Sequence, residues 1–220
     1  MGKIKACLFD LDGVIVDTAK YHYIAWRALA NELGFEFTEA DNEQLKGVSR
    51  MRSLDILLGI GGITLSDAEK ERLAEKKNEN YRRYILQMQP DEILPGAKEL
   101  LLELKEKGIR IALGSASKNA MTILDRLELT DLFEAIIDGT KVSEAKPNPE
   151  VFLKGAAELG VSPEACVVFE DAEAGVEAAL AGKMRCVGIG SPDILGKANL
   201  VIDGLHQMSY TRLMTLGSDE

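Results

Sequence analysis

The chain has 220 residues, with 26 Lys and Arg against 36 Asp and Glu, a net charge of −10, and 46% hydrophobic residues. At about 100–200 residues per domain this is one large domain or two small ones, with apolar content enough for a buried core, which excludes disorder as the main state. The acidic balance argues against nucleic-acid binding, which needs a positive field, yet leaves room for a small phosphorylated ligand held by a few local cations.

In chain order, the apolar run 4–9 reads as a buried strand. Residues 18–89 then read as helices over 18–33, 39–46, 50–58 and 66–88, with Gly34 ending the first and Ser66 with Glu69 forming a capping box for the last. After Pro95-Gly96 the pattern alternates: helix 96–107, strand 109–113, helix 118–129, strand 135–137, helix 149–159, strand 166–169, helix 172–182, strands 185–189 and 200–202, and a short helix 209–216. Gly108 and Gly160 fall where helix C-terminal glycines belong. Near-continuous Val, Ile, Leu and Ala in the strands, alternating with helices, predicts a doubly wound parallel α/β sheet. The expected division is an α/β core of 1–15 and 93–220 with an inserted all-helical domain of 16–92, joined by two close connections that act as a hinge.

Cys7, Cys166 and Cys186 form no CxxC pair and lie in apolar runs, so reduced thiols are expected. No stretch approaches the ~18–20 apolar residues of a membrane span. A signal peptide is not expected, and Gly2 misses the myristoylation pattern because Ala6 stands where Ser or Thr is needed. The expected setting is cytoplasmic, without membrane or nucleic-acid partners, and the expected state is a monomer. Gly59-Ile60-Gly61-Gly62 lacks the strand–loop–helix context of a phosphate loop.

Phe9-Asp10-Leu11-Asp12-Gly13 ends the first strand, at the edge where open α/β sheets bind ligands. Two carboxylates two residues apart in an extended segment can face one side, where crowding favours a shared cation or a protonated acid; a solvated Asp-Gly turn is the plain alternative. Glu170-Asp171 ends another strand and is followed by Ala172, Ala174 and Gly175. Two acidic strand ends at one edge make an all-oxygen set suited to Mg²⁺. Gly114-Ser115-Ala116-Ser117-Lys118-Asn119 adds hydroxyls, a cation and a helix start suited to phosphate, although Ser115 taken alone reads as an ordinary cap. Lys146, before Pro147-Asn148-Pro149, is either a counter-charge for the acids or a surface lysine.

Asp10-Leu11-Asp12-Gly13-Val14-Ile15-Val16-Asp17-Thr18, Ser115, Lys146 and Glu170-Asp171 occur in the order of the four motifs of the haloacid dehalogenase superfamily. The chain resembles that superfamily over nearly its whole length, with the helical insertion matching its subfamily I cap. The resemblance implies a Rossmann-like core and Mg²⁺-dependent phosphoryl transfer, with Asp12 as the acid/base that separates phosphotransferases from dehalogenases. The cap resembles that of the β-phosphoglucomutases through Thr18, His22 and Trp26, then Leu45-Lys46-Gly47-Val48-Ser49-Arg50, Ser53 and Lys77-Asn78.

What this implies is interconversion of β-D-glucose 1-phosphate and glucose 6-phosphate through an aspartyl phosphate and β-glucose 1,6-bisphosphate. Asp10 would be the nucleophile and Asp12 the general acid/base. Ser115 and Lys146 would hold the transferring phosphoryl group, and Asp10, Asp12, Glu170 and Asp171 the Mg²⁺. Thr18 and His22 would join the catalytic set, His22 coupling sugar arrival to the alignment of Asp12. Trp26, Lys46, Gly47, Val48, Arg50, Ser53, Lys77, Ala116, Ser117, Lys118 and Asn119 would contact the substrate, with Arg50, Ser117, Lys118 and Asn119 candidates for the non-transferring phosphate. The alternatives are a sugar-phosphate phosphatase with the same core residues and, outside enzymology, a phosphorylation-controlled switch.

Overall fold

The computed structural model describes residues 3–45 and 48–217. It divides into two compact units: the residues up to Asp17 together with those from Gln89 onward, and Thr18–Met88.

The first unit is α/β. Its strands are β1 (Ala6–Phe9), β2 (Arg110–Gly114), β3 (Ala135–Ile137), β4 (Cys166–Glu170), β5 (Arg185–Ile189) and β6 (Leu200–Ile202). Among the described residues they form one parallel sheet in the order β3-β2-β1-β4-β5-β6. Both faces are covered, as the apolar strands require. Ala6, Leu8, Ala112, Val168 and Cys186 face one apolar cluster with Phe152, Ala156 and Val176. The alternate positions Cys7, Phe9, Ile111, Leu113, Val167 and Phe169 are equally buried. The strand order reverses between β1 and β4, which places a crevice beyond their C-terminal ends.

The second unit holds α1 (Ala19–Leu33), α2 (Glu39–Glu43), α3 (Arg50–Ile60) and α4 (Asp67–Ile85). Trp26, Leu29, Phe37, Leu54, Leu57 and Leu73 build its own apolar cluster. The Ser66 N–H donates to the Glu69 carboxylate at 3.0 Å, closing the expected capping box of α4. Thr38 and Asp41 form another on α2. The α/β unit continues with α5 (Ala97–Glu106), α6 (Ala120–Arg126), α7 (Glu150–Glu158), α8 (Glu173–Ala181), α9 (Pro192–Leu195) and α10 (Tyr210–Thr215).

Differences from expectation sit at element ends; β1, for one, begins at Ala6 rather than at residue 4. The helix expected over 66–88 stops at Ile85, and the chain is extended at Gln89, before Pro90, with ψ 159°. The helix expected over 118–129 starts later, since Ser117 Oγ accepts the Asn119 N–H in a local turn. It also ends earlier, before Glu128 at φ 57°. The helix expected over 39–46 ends at Glu43. Gly59 lies inside α3, and a Cβ on Gly61 would strike the Phe35 ring. That stretch is therefore a helix end packed against an aromatic ring.

The chain crosses between units at two points that the α/β unit ties together. Leu94 N–H donates to Ile15 O at 2.9 Å, and Val16 bridges antiparallel to Ile93. No helix among the described residues is long and apolar enough to cross a membrane.

Candidate active site

In the α/β unit the register sets the site. Phe9 pairs with Phe169 across β1 and β4, and their rings stack with centroids 4.6 Å apart. Asp10 N–H continues the ladder to Phe169 O at 3.0 Å, so Asp10 and Glu170 leave adjacent strands side by side at the reversal of strand order. Phe9 also pairs with Leu113, which brings the end of β2 and Ser115 to the same edge.

Lys146 lies between the two acids. Its ammonium donates to Asp10 Oδ1 at 2.6 Å and to Glu170 Oε1, and its side chain is only 6% exposed. This is the counter-charge reading of Lys146, with the surface-lysine reading excluded by burial. Glu170 Oε2 also accepts the Ala172 N–H at 3.1 Å. Glycine is needed at two places here. A Cβ on Gly13, which has φ +73°, would fall on the Asp171 carboxylate, and one on Gly175 would overlap that of Glu170.

Asp10, Glu170 and Asp171 each place a carboxylate oxygen within 4.8 Å of the others, a group able to hold a metal ion. Burial pushes the Asp171 carboxyl up to about 8, reinforced by the charges of Asp10, Glu170 and Asp12 and opposed by Lys146. Burial likewise raises Glu170 against the pull of Lys146. Burial alone would lower Lys146, but the two carboxylates outweigh it and hold the ammonium above the usual lysine range. When all three are ionised, these carboxylates outnumber the one ammonium by two charges. An all-oxygen set with that deficit fits a divalent cation.

Asp12 is half-buried in the loop after β1, in a bridge with Val16. Ser115 is buried, and its Oγ accepts the Ser117 N–H at 3.1 Å, so its hydroxyl hydrogen remains to donate elsewhere. Ala116 and Lys118 are exposed, while Ser117 and Asn119 are half-buried in the turn before α6.

The helical unit gathers a different set. Thr18 is buried at the N-cap of α1. His22 and Trp26, one turn apart on α1, both face Lys77 of α4. Lys77 Nζ lies 2.7 Å from His22 Nδ1 and 4.4 Å from the Trp26 ring centroid. Arg50, the first residue of α3, pairs with Glu75 at 3.3 Å. Ser53 and Asn78 are buried, and Val48 is exposed. Trp26 belongs to the apolar cluster of this unit, so packing accounts for its burial. Lys46 and Gly47 lie outside the described residues.

Two residues in these clusters carry no signal in the sequence. Tyr81 stacks on His22 with centroids 4.1 Å apart. Glu150 accepts the Ser143 N–H at 2.9 Å and the Glu144 N–H at 2.7 Å, holding the loop that delivers Lys146. The bond from the Lys154 ammonium, then those from Glu144 and Ser143, bring its carboxyl down to about 2. An acid in the first turn of a helix reads as an ordinary dipole partner, and nothing in its spacing points to a loop six residues back.

The family profile of haloacid dehalogenase-like hydrolases matches residues 4–182. A β-phosphoglucomutase of Bacillus subtilis is 44% identical over 201 residues, covering 90% of this chain and 89% of that protein. The crystal structure of a β-phosphoglucomutase from Clostridium difficile superposes with a TM-score of 0.92 at 45% identity, covering 97% of this chain and 96% of that one. A phosphorylated carbohydrates phosphatase of Thermotoga maritima is 33% identical over 84% of this chain and 85% of its own length. With its ordered acidic strand ends and this extent of likeness, the chain belongs to the haloacid dehalogenase-like hydrolase family.

Proposed function

We propose that the protein interconverts β-D-glucose 1-phosphate and glucose 6-phosphate, with Asp10 as phosphoryl carrier. The observation that carries this reading is that the likeness to β-phosphoglucomutases extends through both compact units, helical unit included. In the reaction, the 6-hydroxyl of β-glucose 1-phosphate attacks the phosphorus of phosphorylated Asp10. The new sugar O–P bond forms as the aspartyl O–P bond breaks, and Asp12 takes the hydroxyl proton. The bisphosphate then presents its C1 phosphate to Asp10. Attack by the Asp10 carboxylate breaks the C1 oxygen–phosphorus bond, and Asp12 returns the proton to that oxygen.

Ser115 and Lys146 hold the transferring phosphoryl oxygens, where positioning and neutralisation supply most of the rate. Arg50 of the helical unit is a candidate for the other phosphate, since a guanidinium fork suits it, and Ser117, Lys118 and Asn119 of the α/β unit are further candidates. Asp10, Glu170 and Asp171, with the Asp12 backbone carbonyl, would hold Mg²⁺, which when bound draws charge off the phosphoryl oxygens. Thr18, His22 and Lys77 in the helical unit recognise the sugar, and sugar binding energy, which water lacks, protects the acyl phosphate from hydrolysis.

The test is ³¹P NMR with β-glucose 1-phosphate, Mg²⁺ and a trace of the bisphosphate. Glucose 6-phosphate should accumulate with little inorganic phosphate. Inorganic phosphate as the main product would replace this reading with a sugar-phosphate phosphatase, a reading the Thermotoga relative favours.

A further inference from the structure

The cluster around Lys77 contains more than the proposed chemistry uses. Lys77 sits over two aromatic faces, 4.4 Å from the Trp26 centroid and 4.9 Å from that of Tyr81, while Tyr81 also lies flat against His22. Trp26 and Tyr81 are 2% and 1% exposed, so neither ring has room to turn away. An ammonium carries three donors and no acceptor, so its 2.7 Å contact with His22 Nδ1 can only be a hydrogen bond that Nδ1 accepts. A neutral imidazole that accepts at Nδ1 carries its hydrogen on Nε2. We propose that Tyr81 and Trp26 are positioning residues whose rings hold Lys77 against Nδ1 of His22, fixing His22 as the Nε2–H tautomer.

The rings turn their negative faces toward the Lys77 ammonium and so hold it in place. Burial, then the charges of Lys77 and Arg50, holds His22 well below the ordinary imidazole range, in agreement with a neutral ring. The consequence rests on the mutase reading: His22 serves the sugar as a donor through Nε2, and its basic nitrogen is already occupied. His22 therefore takes no proton during turnover, and the base role stays with Asp12.

The chain contains two histidines, so the imidazole nitrogens can be read directly by two-bond ¹H–¹⁵N correlation on labelled protein, with His206→Gln assigning His22. At neutral pH, wild-type His22 should show a protonated Nε2 and an unprotonated Nδ1. Tyr81→Leu should turn this into a tautomer mixture and lower mutase kcat/KM about tenfold, the scale of one lost hydrogen bond. Tyr81→Phe should keep both properties, because the ring face is the working part. Should Tyr81→Leu fail to fold, Lys77→Met must give the same tautomer change. A wild-type His22 protonated at Nδ1, or an Nε2–H pattern unmoved by Tyr81→Leu or Lys77→Met, overturns the proposal. Wild-type protein with the Nε2–H pattern but no mutase activity would sink the function and support this assignment.

Discussion

Among the described residues, the side chains of two lysines are buried, and they are held in opposite ways. Lys146 lies among carboxylates, close to Asp10 and Glu170, with Asp171 beside them. Lys77 lies between aromatic faces and the lone pair of a neutral imidazole. The first arrangement is over-supplied with negative charge and has a place for a further cation. The second includes weak, directional contacts suited to fixing a geometry. A buried ammonium therefore says little by itself, and the partners decide whether the surroundings gather charge or orient a neighbour.

The harshest way to break the acidic side of this contrast is Asp10→Asn, which removes the nucleophile and a cation ligand while keeping shape. Turnover should fall at least ~10³-fold with circular dichroism unchanged, and substantial activity in a clean preparation would remove Asp10 from its role. The two lysines can then be set against each other by thermal melting in metal-free buffer. Lys146→Met leaves buried acids unpaired and should cost about 3 kcal/mol or more, whereas Lys77→Met loses cation–π and hydrogen-bond contacts worth about 1–2 kcal/mol. Equal losses would erase the distinction.

The mildest test is the pH dependence of the metal-free protein. Burial pushes the Asp171 carboxyl up to about 8 in the folded chain, against an ordinary value of 3.8. Between those values the folded chain keeps a proton that the unfolded chain has released, so stability should decline as pH rises through the window. Mg²⁺ should raise the melting temperature most at the alkaline end. A melting temperature that climbs with pH in chelator, or a Mg²⁺ effect that shrinks toward pH 8, would contradict the charge deficit.

Much of the fold is legible because the strands are short apolar runs between strong breakers. The stretches 135–137, 185–189 and 200–202 coincide with β3, β5 and β6. The approach of Asp10 to Glu170 is legible for a related reason, since both follow strand ends and parallel strands end on one edge. The helix α9 is not legible, because four residues carry no period. Nor is the meeting of Tyr81 with His22, which depends on how α1 and α4 pack although they lie far apart in the sequence. Lys146 sits in a loop, where no periodicity tells an inward lysine from an outward one. Glu150 belongs to the same class of residue, visible only once its loop is seen folded back onto it.

The pairing of Ile15 and Val16 with Ile93 and Leu94 has a consequence for how this chain can be rebuilt. The α/β unit brings both ends of the insertion together with its own backbone, so the ends already lie at the separation of two adjacent strands. A short turn replacing 18–88 would close a hairpin there without shifting the register of β1 or β2. A foreign helical module of different length should splice at the same two points for the same reason. The molecule thus carries a ready-made socket, and exchange of recognition modules is open to laboratory recombination without redesign of the sheet.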